Sequence, residues 1–248
     1  MAGEHIVRSF DEDLNRLDNM IVEMGGLAEM QLSQAIEALV RRDVTLAEAV
    51  ASGDVRIDAL EREVDVFTVE ILARRQPMAA DLRLVISVLK AANDLERIGD
   101  LSRNICKRTI ALARTPAMGS AMNTVARMAG LVQEMIRNVL DAYIERDVDM
   151  ANDVWARDEE VDQLHTSLFR ELLTYMMEDP RNITACTHLL FIAKNVERMG
   201  DHVTNIAEYI RMMVLGEAHD ESRPKDDQSS LTVVSPDAVS SSKNSESA

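Results

Sequence analysis

Two segments of the chain carry the same arrangement of acidic and amide side chains within apolar, helix-forming sequence. The stretch NDLERIGDLSRNI occupies positions 93–105, and KNVERMGDHVTNI occupies positions 194–206. Aligned without a gap, both contain Glu-Arg-x-Gly-Asp, then an Asn four residues past the Asp, then an Ile. Side chains four residues apart are neighbours on a helix, so each segment presents its two carboxylates and its amide together.

On a helix these carboxylates follow the same line as the core residues. At about 100° per residue, an apolar stripe that begins before each segment leads on to Glu96 and Asp100 in the first. The corresponding stripe leads on to Glu197 and Asp201 in the second. The sequence therefore predicts acidic side chains that face inward, beside a neighbouring helix.

The helix before each segment supplies a second acidic pair. Asp54 and Asp58 are four residues apart, as are Asp158 and Asp162. Like charges at this spacing weaken a helix by a few tenths of a kcal/mol, and burial without compensation costs far more. Facing carboxylate pairs provide the oxygen-rich shell that Mg²⁺, Mn²⁺ or iron accepts. The eight residues are therefore candidate metal ligands.

Ordinary ion pairing is the alternative interpretation of these carboxylates. Glu96 and Glu197 could pair with Arg97, Arg103 or Arg198, because solvated charge pairs are common on helices. A single copy of the motif would favour this alternative. The duplication, together with the acidic pair on each preceding helix, favours cation binding.

Other chemistries have little support in the sequence. The chain contains no Glu-x-x-His of the ferritin type, no phosphate-binding GxxxxGK[ST] and no GxGxxG. Cys106 and Cys186 are far apart, so they predict buried apolar residues rather than a zinc or disulfide framework. The histidines lack a catalytic context and are interpreted as surface or capping residues: His5, His165, His188, His202 and His219. We therefore expect no enzymatic activity.

The composition limits the fold and the partners. Apolar residues make up 46% of the 248-residue chain and aromatic residues 3%, which favours helices over strands. A net charge of −16 disfavours nucleic acid and anionic membrane surfaces as direct partners. The sequence shows neither a membrane-spanning apolar run nor a signal-peptide core at its beginning, and this predicts a cytoplasmic location.

The helical pattern falls into two sets of three. The six long helices are predicted at roughly 5–42, 44–74, 79–113, 118–146, 148–178 and 182–215, with Asp43 and Asp147 as N-caps. Segments 37–50 and 141–154 match at an offset of 104, and the Glu-Arg-x-Gly-Asp segments match at 101. The sequence therefore predicts an all-α tandem repeat of two three-helix bundles.

Three regions follow from this pattern. The first bundle is assigned to residues 1–115 and the second to residues 116–215. Residues 216–248 are rich in Ser and Asp and have no sustained hydrophobic period. Such a segment buries too little apolar surface to offset chain entropy, so a disordered tail is predicted there.

With these residues identified, the chain resembles the PhoU family of bacterial phosphate-signalling regulators. The resemblance runs from about residue 5 to residue 213. It is carried by RRQPMAADLRLVISVLKAANDLERIGDLSRNICKR at 74–108 and by NITACTHLLFIAKNVERMGDHVTNIAEYI at 182–210.

The resemblance implies a tandem of three-helix bundles, commonly dimeric, without established catalysis. It also implies acidic E/DxxxD motifs that bind iron, zinc or other divalent ions. Those motifs fall on Glu96, Asp100, Glu197 and Asp201. The assignment of the facing aspartates rests on the pairing of helices described above.

The resemblance further implies the biological role. Family members repress the phosphate regulon and restrain phosphate uptake. They are thought to link the ATPase subunit of a phosphate ABC transporter to a membrane sensor histidine kinase. Two alternatives remain open from the residues themselves, namely a metal-dependent phosphoester hydrolase that uses paired ions and a metal store or carrier.

Overall fold

The structure is a computed structural model, and it describes residues 2–53 and 55–217, with side chains from Ser9 onward. Over these residues the chain forms eight α-helices and one short 3-10 turn, with no strand. In chain order the helices are α1 (Ala2–Arg41), α2 (Val44–Ser52), α3 (Val55–Arg75), α4 (Ala80–Leu112), α5 (Gly119–Glu145), α6 (Val148–Ala156), α7 (Asp158–Glu178) and α8 (Ile183–Leu215). The predicted all-α fold is confirmed.

The second helix of each predicted set is divided in two. The helix expected over 44–74 is interrupted after Ser52, where Gly53 ends α2. The helix expected over 148–178 is interrupted at Arg157, whose N–H bonds to the carbonyls of Asp153 and Val154. The interruptions lie just before the acidic pairs, so Asp58 is in the first turn of α3, and Asp158 and Asp162 are near the start of α7.

The two predicted N-caps are confirmed. The Asp43 carboxylate accepts a hydrogen bond from the Leu46 N–H at 3.0 Å. The Asp147 carboxylate accepts from the N–H groups of Asp149 and Met150 at 2.8 and 3.0 Å. These bonds satisfy amide groups that have no partner inside the helix and fix where α2 and α6 begin.

The helices form two three-helix bundles that pack against each other. α1, α3 and α4 are mutual neighbours in the first, and α5, α7 and α8 in the second. The most extensive contact between helices joins α4 to α8, one from each repeat. The buried apolar residues of both halves form one continuous core. The predicted domain limits, 1–115 and 116–215, stay a prediction.

Gly216 ends α8 in the left-handed conformation, with φ of 77°. Residues 218–248, which hold most of the predicted tail, lie outside the described residues. None of the helices in residues 2–53 and 55–217 combines the length and the apolar content that crossing a membrane requires.

The seam between α4 and α8 contains a buried polar cluster. Asp94 on α4 lies 2.6 Å from His202 Nδ1 and accepts a bond of 3.3 Å from the Asn205 amide. The Tyr209 hydroxyl also bonds to Asp94, and this bond, with burial as the largest cause, raises the pKa of Tyr209. His202 therefore belongs to the interface between the repeats, and its interpretation as a surface or capping residue is wrong.

The same seam shows that the two repeats are related by an approximate two-fold axis. Lys90 lies over the Tyr209 ring at 5.3 Å, and Arg108 lies over the Phe191 ring at 4.1 Å. Positions 90 and 191 are equivalent in the two repeats, as are positions 108 and 209, since both pairs differ by 101. Each contact is therefore the counterpart of the other: both cations are on α4 and both rings on α8, but the repeat position that carries the cation in one contact carries the ring in the other.

A glycine allows the first helices of the two repeats to approach closely. A Cβ added to Gly25 would lie 2.4 Å from Leu140 Cδ2 on α5. A side chain at this point of the contact between α1 and α5 would require Leu140 to move.

Candidate metal centre

The second repeat holds its acidic residues between the start of α7 and the middle of α8. Asp158 and Asp162 on α7 and Glu197 on α8 are buried, and Asp201 is half-buried. The charges of Asp201 and Asp162 both raise the pKa of Glu197, so these carboxylates lie within electrostatic reach of one another. The inward orientation predicted for Glu197 is confirmed.

Gly200 makes room for one of these carboxylates. A Cβ at this position would lie 2.8 Å from Asp158 Oδ1, well inside van der Waals contact. The glycine of Glu-Arg-x-Gly-Asp thus lets the Asp158 side chain pack directly against the α8 backbone. The motif on α8 and Asp158 of the preceding helix therefore lie side by side.

Burial strongly perturbs Glu197. Its pKa is raised to about 7, first by desolvation, while a hydrogen bond from Lys194 lowers it and the charges of Asp201 and Asp162 raise it. Lys194 Nζ donates to Glu197 Oε1 at 2.8 Å. The other carboxylate oxygen, Oε2, is buried without a hydrogen-bond partner. A buried oxygen in this condition is costly, and a bound cation would remove that cost.

The first repeat has an equivalent, more open cluster. Desolvation raises the pKa of Glu96, and the charges of Asp100, Asp58 and Glu61 raise it further against the lowering effect of Arg97. Asp58 Oδ1 is buried without a hydrogen-bond partner, and the buried Glu96 Oε2 makes no hydrogen bond but lies 3.4 Å from Arg97 Nε. The remaining predicted ligand of this repeat, Asp54, lies outside the described residues.

Arginines pair with the carboxylates of the first repeat. Arg97 lies 3.4 Å from Glu96 and 3.3 Å from Asp100, and Arg103 bonds to Asp100 as well. The ion pairing considered as the alternative is therefore present here. These contacts and the Lys194 bond of the second repeat would have to rearrange before an ion could take their place.

Sequence reasoning missed Glu61, whose charge acts on Glu96, and its equivalent in the second repeat, His165. Glu61 and His165 follow Asp58 and Asp162 by three residues and are equivalent at the offset of 104. His165 is buried, so its interpretation as a surface or capping residue is wrong. Burial, followed by the charge of Asp65, raises the pKa of Glu61. The sequence contained the information needed to find both residues. Each lies three residues after a predicted ligand and so shares its helix face, and the repeat offset aligns position 61 with position 165.

The side chains do not yet form a coordination shell. Within the part of the chain that the structure describes, no three His, Cys, Asp or Glu side chains lie where they could hold one metal ion. The donor set still fits a cation, because two of the predicted residues, Asp58 and Glu197, each have a buried oxygen without a hydrogen-bond partner. Metal binding at the predicted residues stays a prediction.

Comparison with known proteins identifies relatives over nearly the whole chain. A family model described as the PhoU domain matches residues 21–109 and again residues 125–210. A protein of Caulobacter vibrioides described as a phosphate-specific transport system accessory protein PhoU homolog is 49% identical over 222 residues, which is 90% of this chain and 96% of the relative. A homologue of the same description from Rhizobium meliloti is 49% identical over 230 residues, or 93% and 97% of the two chains.

Solved structures agree with this relationship. The crystal structure of PhoU from Pseudomonas aeruginosa matches with a TM-score of 0.79 and 39% identity, and the match covers 84% of this chain and 100% of that one. The phosphate transport system regulatory protein PhoU from Streptococcus pneumoniae matches with a TM-score of 0.79 and 29% identity, covering 86% and 100%.

Proposed function

The chain belongs to the PhoU family, and from that premise we propose that it is an accessory regulatory protein of phosphate-specific transport. The observation that carries this proposal is the 49% identity to phosphate transport accessory proteins across nine-tenths of the chain. An all-helical architecture with a net charge of −16 suits binding to other proteins rather than to nucleic acid.

The regulatory step is repression. When phosphate is plentiful, the protein keeps the phosphate regulon off and restrains phosphate uptake. It does so as a cytoplasmic adaptor, without catalysis of its own, between the ATPase subunit of a phosphate ABC transporter and a sensor histidine kinase. The adaptor acts as a homodimer. A helical surface that carries no nucleotide-binding motif supports this role, because the protein then acts through its contacts.

The acidic clusters bind metal in support of the fold. In the first repeat the ligands are drawn from Asp54, Asp58, Glu96 and Asp100, and in the second from Asp158, Asp162, Glu197 and Asp201. Glu61 and His165 are the additional donors. Iron, zinc, magnesium or manganese would supply the positive charge that the buried carboxylate oxygens need. The imidazole of His165 suits zinc or iron better than magnesium, whereas the oxygen donors of the first repeat suit all the harder ions.

Deletion of the gene tests the regulatory role. A reporter of phosphate-starvation genes should be expressed in the deletion strain at high phosphate, and the wild-type gene supplied in trans should silence it. Reporter output that is unchanged by the deletion would contradict repression. A strain that lacks the transporter ATPase subunit provides the matched control, since loss of the adaptor and loss of its partner should release the same genes.

A further inference from the structure

α3 presents an apolar stripe to solvent. Positions 55, 59, 62, 66, 69 and 73 are spaced alternately by four and three residues, so they lie along one face with the a/d spacing of a coiled coil. Five are apolar and the sixth is Arg62, and all six are exposed. Val55, Val66 and Val69 have 72%, 61% and 64% of their surface accessible. This spacing is typical of a helix surface that receives another helix.

These valines lie outside the hydrophobic core. The core face of α3 is a separate set of residues, which includes Ile57, Leu60, Val64 and Ile71. In the second repeat, α7 has Glu159, Gln163 and Arg170 where α3 has Val55, Ala59 and Val66, but Leu173 and Met177 where α3 has Val69 and Ala73. The same architecture therefore forms with polar residues over the first part of this face, and an apolar stripe along most of the helix is particular to the first repeat.

The charges beside the stripe indicate the partner. Glu63 and Glu70 lie along one edge and Asp65 along the other, at the positions where coiled-coil helices place their interhelical charges. Two charges on the first edge are already compensated by α1, since Arg56 is bound to Glu23 at 2.5 and 3.1 Å and Glu63 is paired with Arg16 at 2.7 Å. Glu70 and Asp65 give each edge an acidic residue, and these complement a helix that carries Lys and Arg beside its apolar positions.

From this face we propose that α3 is the docking site for an amphipathic helix of a partner protein, with an apolar stripe flanked by Lys and Arg. A second copy of the chain fits less well, because it would place Asp65 and Glu70 against the same acidic residues. An anionic membrane surface is disfavoured by the same charges. The net charge of −16 would also speed the approach of a basic partner.

Arg62 sets the register of the docked helix. It is the polar member of an otherwise apolar stripe, and such a residue favours the alignment that gives it a partner. A single Glu on the partner helix, opposite Arg62, would fix that alignment. From position 55 to position 73 the stripe extends about 27 Å, which corresponds to roughly five turns of the partner.

Binding of a designed peptide to the full chain tests the proposal. The probe is a fluorescein-labelled 21-residue helix with Leu at its a and d positions, Lys and Arg on both flanks and one Glu placed opposite Arg62. Fluorescence anisotropy should show saturable binding, weakened about tenfold or more in the V66D/V69D variant. A peptide with Glu in place of the flanking Lys and Arg should bind at least about tenfold more weakly than the probe.

The control variant is I144D/V40D, which changes two exposed apolar residues elsewhere and should bind the peptide as the wild type does. All variants are first checked for an unchanged thermal melt, and V66S/V69S replaces the aspartate pair if that pair lowers the melt. Equal binding by wild type and V66D/V69D, or an equal loss in the control, would overturn the proposal. A wild-type dimer that dissociates in V66D/V69D would also overturn it, because the occupant would then be a second copy.

Discussion

The second repeat buries its acidic cluster more deeply than the first repeat does. The Glu197 side chain is 8% accessible, against 17% for its equivalent Glu96. Asp162 is buried, whereas Asp58 is partly exposed. The pKa of Glu197 rises to about 7, and the pKa of Glu96 is also raised, in both cases chiefly by desolvation. The same motif thus lies in two environments, and the surrounding helices determine how strongly each carboxylate is perturbed.

Substitutions beside the motif explain part of this difference. Arg103, which bonds to Asp100 in the first repeat, is replaced by Thr204 in the second. The Thr204 hydroxyl donates to the backbone carbonyl of Asp201 at 2.9 Å and so offers no compensating charge. Asp100 of the first cluster therefore has arginine counterions, Arg97 and Arg103, whereas Thr204 places no charge at the position equivalent to Arg103.

The largest expected effect is the loss of metal from one repeat at a time. Glu197→Ala should remove the ion of the second repeat, and Glu96→Ala should remove the ion of the first. Replacement of Glu96, Asp100, Glu197 and Asp201 together should abolish binding. Elemental analysis of each purified variant measures its metal content. Thermal melts with chelator should show a loss of about 2.7 kcal/mol per site if free metal had stood at a hundred times its dissociation constant.

Variants of a surface acidic residue control for this experiment. Glu70→Ala removes an exposed carboxylate of α3 outside both clusters and should leave the metal content unchanged. Undiminished metal in the variant with four alanines would show that these residues are not the ligands. Wild-type protein that contains no metal, with a melt unaffected by added ions, would remove the metal interpretation altogether.

The next largest effect is a pH dependence that belongs to the second repeat. Because folding raises the pKa of Glu197 from 4.5 to about 7, the native state binds a proton more tightly than the unfolded chain. Stability from this group is therefore greatest below about pH 4.5 and is lost as pH rises through 7. This rise in the pKa of Glu197 corresponds to about 3 kcal/mol in the free energy of unfolding.

Glu197→Gln should remove this pH dependence. In metal-free protein with chelator present, the variant should gain stability over the wild type as pH rises from 5 to 8, measured by urea unfolding at each pH. Glu96→Gln is the matched variant of the first repeat and should produce a smaller gain, because Glu96 is more exposed. Equal gains in the two variants would contradict the difference in burial between the repeats.

The sequence predicted the helices better than it predicted the short interruptions. Hydrophobic periodicity and the repeat offset located the bundles, and α8 ends at Leu215 as predicted. The breaks at Gly53 and Arg157 were missed, because apolar residues continue on both sides of each break. Arg157 in particular is a good helix former, so only the packing of α6 and α7 determines that the chain turns there.

The sequence also predicted the acidic residues but not their surroundings. The spacing of Glu197 and Asp201 identified their common face. It could not show that Lys194 would donate to Glu197 or that His165 would be buried, because both depend on how α7 and α8 pack. The contact between α4 and α8 was missed for the same reason. Residues 101 positions apart reveal a duplication but not the axis that relates its copies.

A moderate effect is expected where the first helices of the two repeats meet. Gly25→Ala should destabilise the protein by about 1 kcal/mol, because the overpacking against Leu140 outweighs the gain of about 1 kcal/mol in helix propensity. Gly26 has no atom within 4 Å of an added Cβ, so Gly26→Ala should stabilise by about 0.5–1 kcal/mol. Urea unfolding shows whether each variant raises or lowers the free energy of unfolding. Stabilisation by both variants would show that Leu140 moves aside easily.

The smallest expected effect concerns the two cation–ring contacts of the seam. Arg108 lies closer to Phe191 than Lys90 does to Tyr209, at 4.1 against 5.3 Å. Arg108→Met should therefore cost about 0.5–1 kcal/mol, and Lys90→Met less, since this attraction weakens with distance and with solvent exposure. Both substitutions keep an unbranched apolar stem over the ring, so the loss reports the charge rather than the packing.

A double-mutant cycle isolates the interaction energy between the cation and the ring in each contact. Arg108→Met combined with Phe191→Leu, and Lys90→Met combined with Tyr209→Leu, give the two coupling energies by urea unfolding. The approximate two-fold axis makes the contacts geometric counterparts, so an inequality between the coupling energies must come from the cation, the ring and the distance between them. A larger coupling for Lys90 with Tyr209 would reverse the expected order. It would indicate that the hydrogen bond from Tyr209 to Asp94, rather than the ring, connects that position to α4.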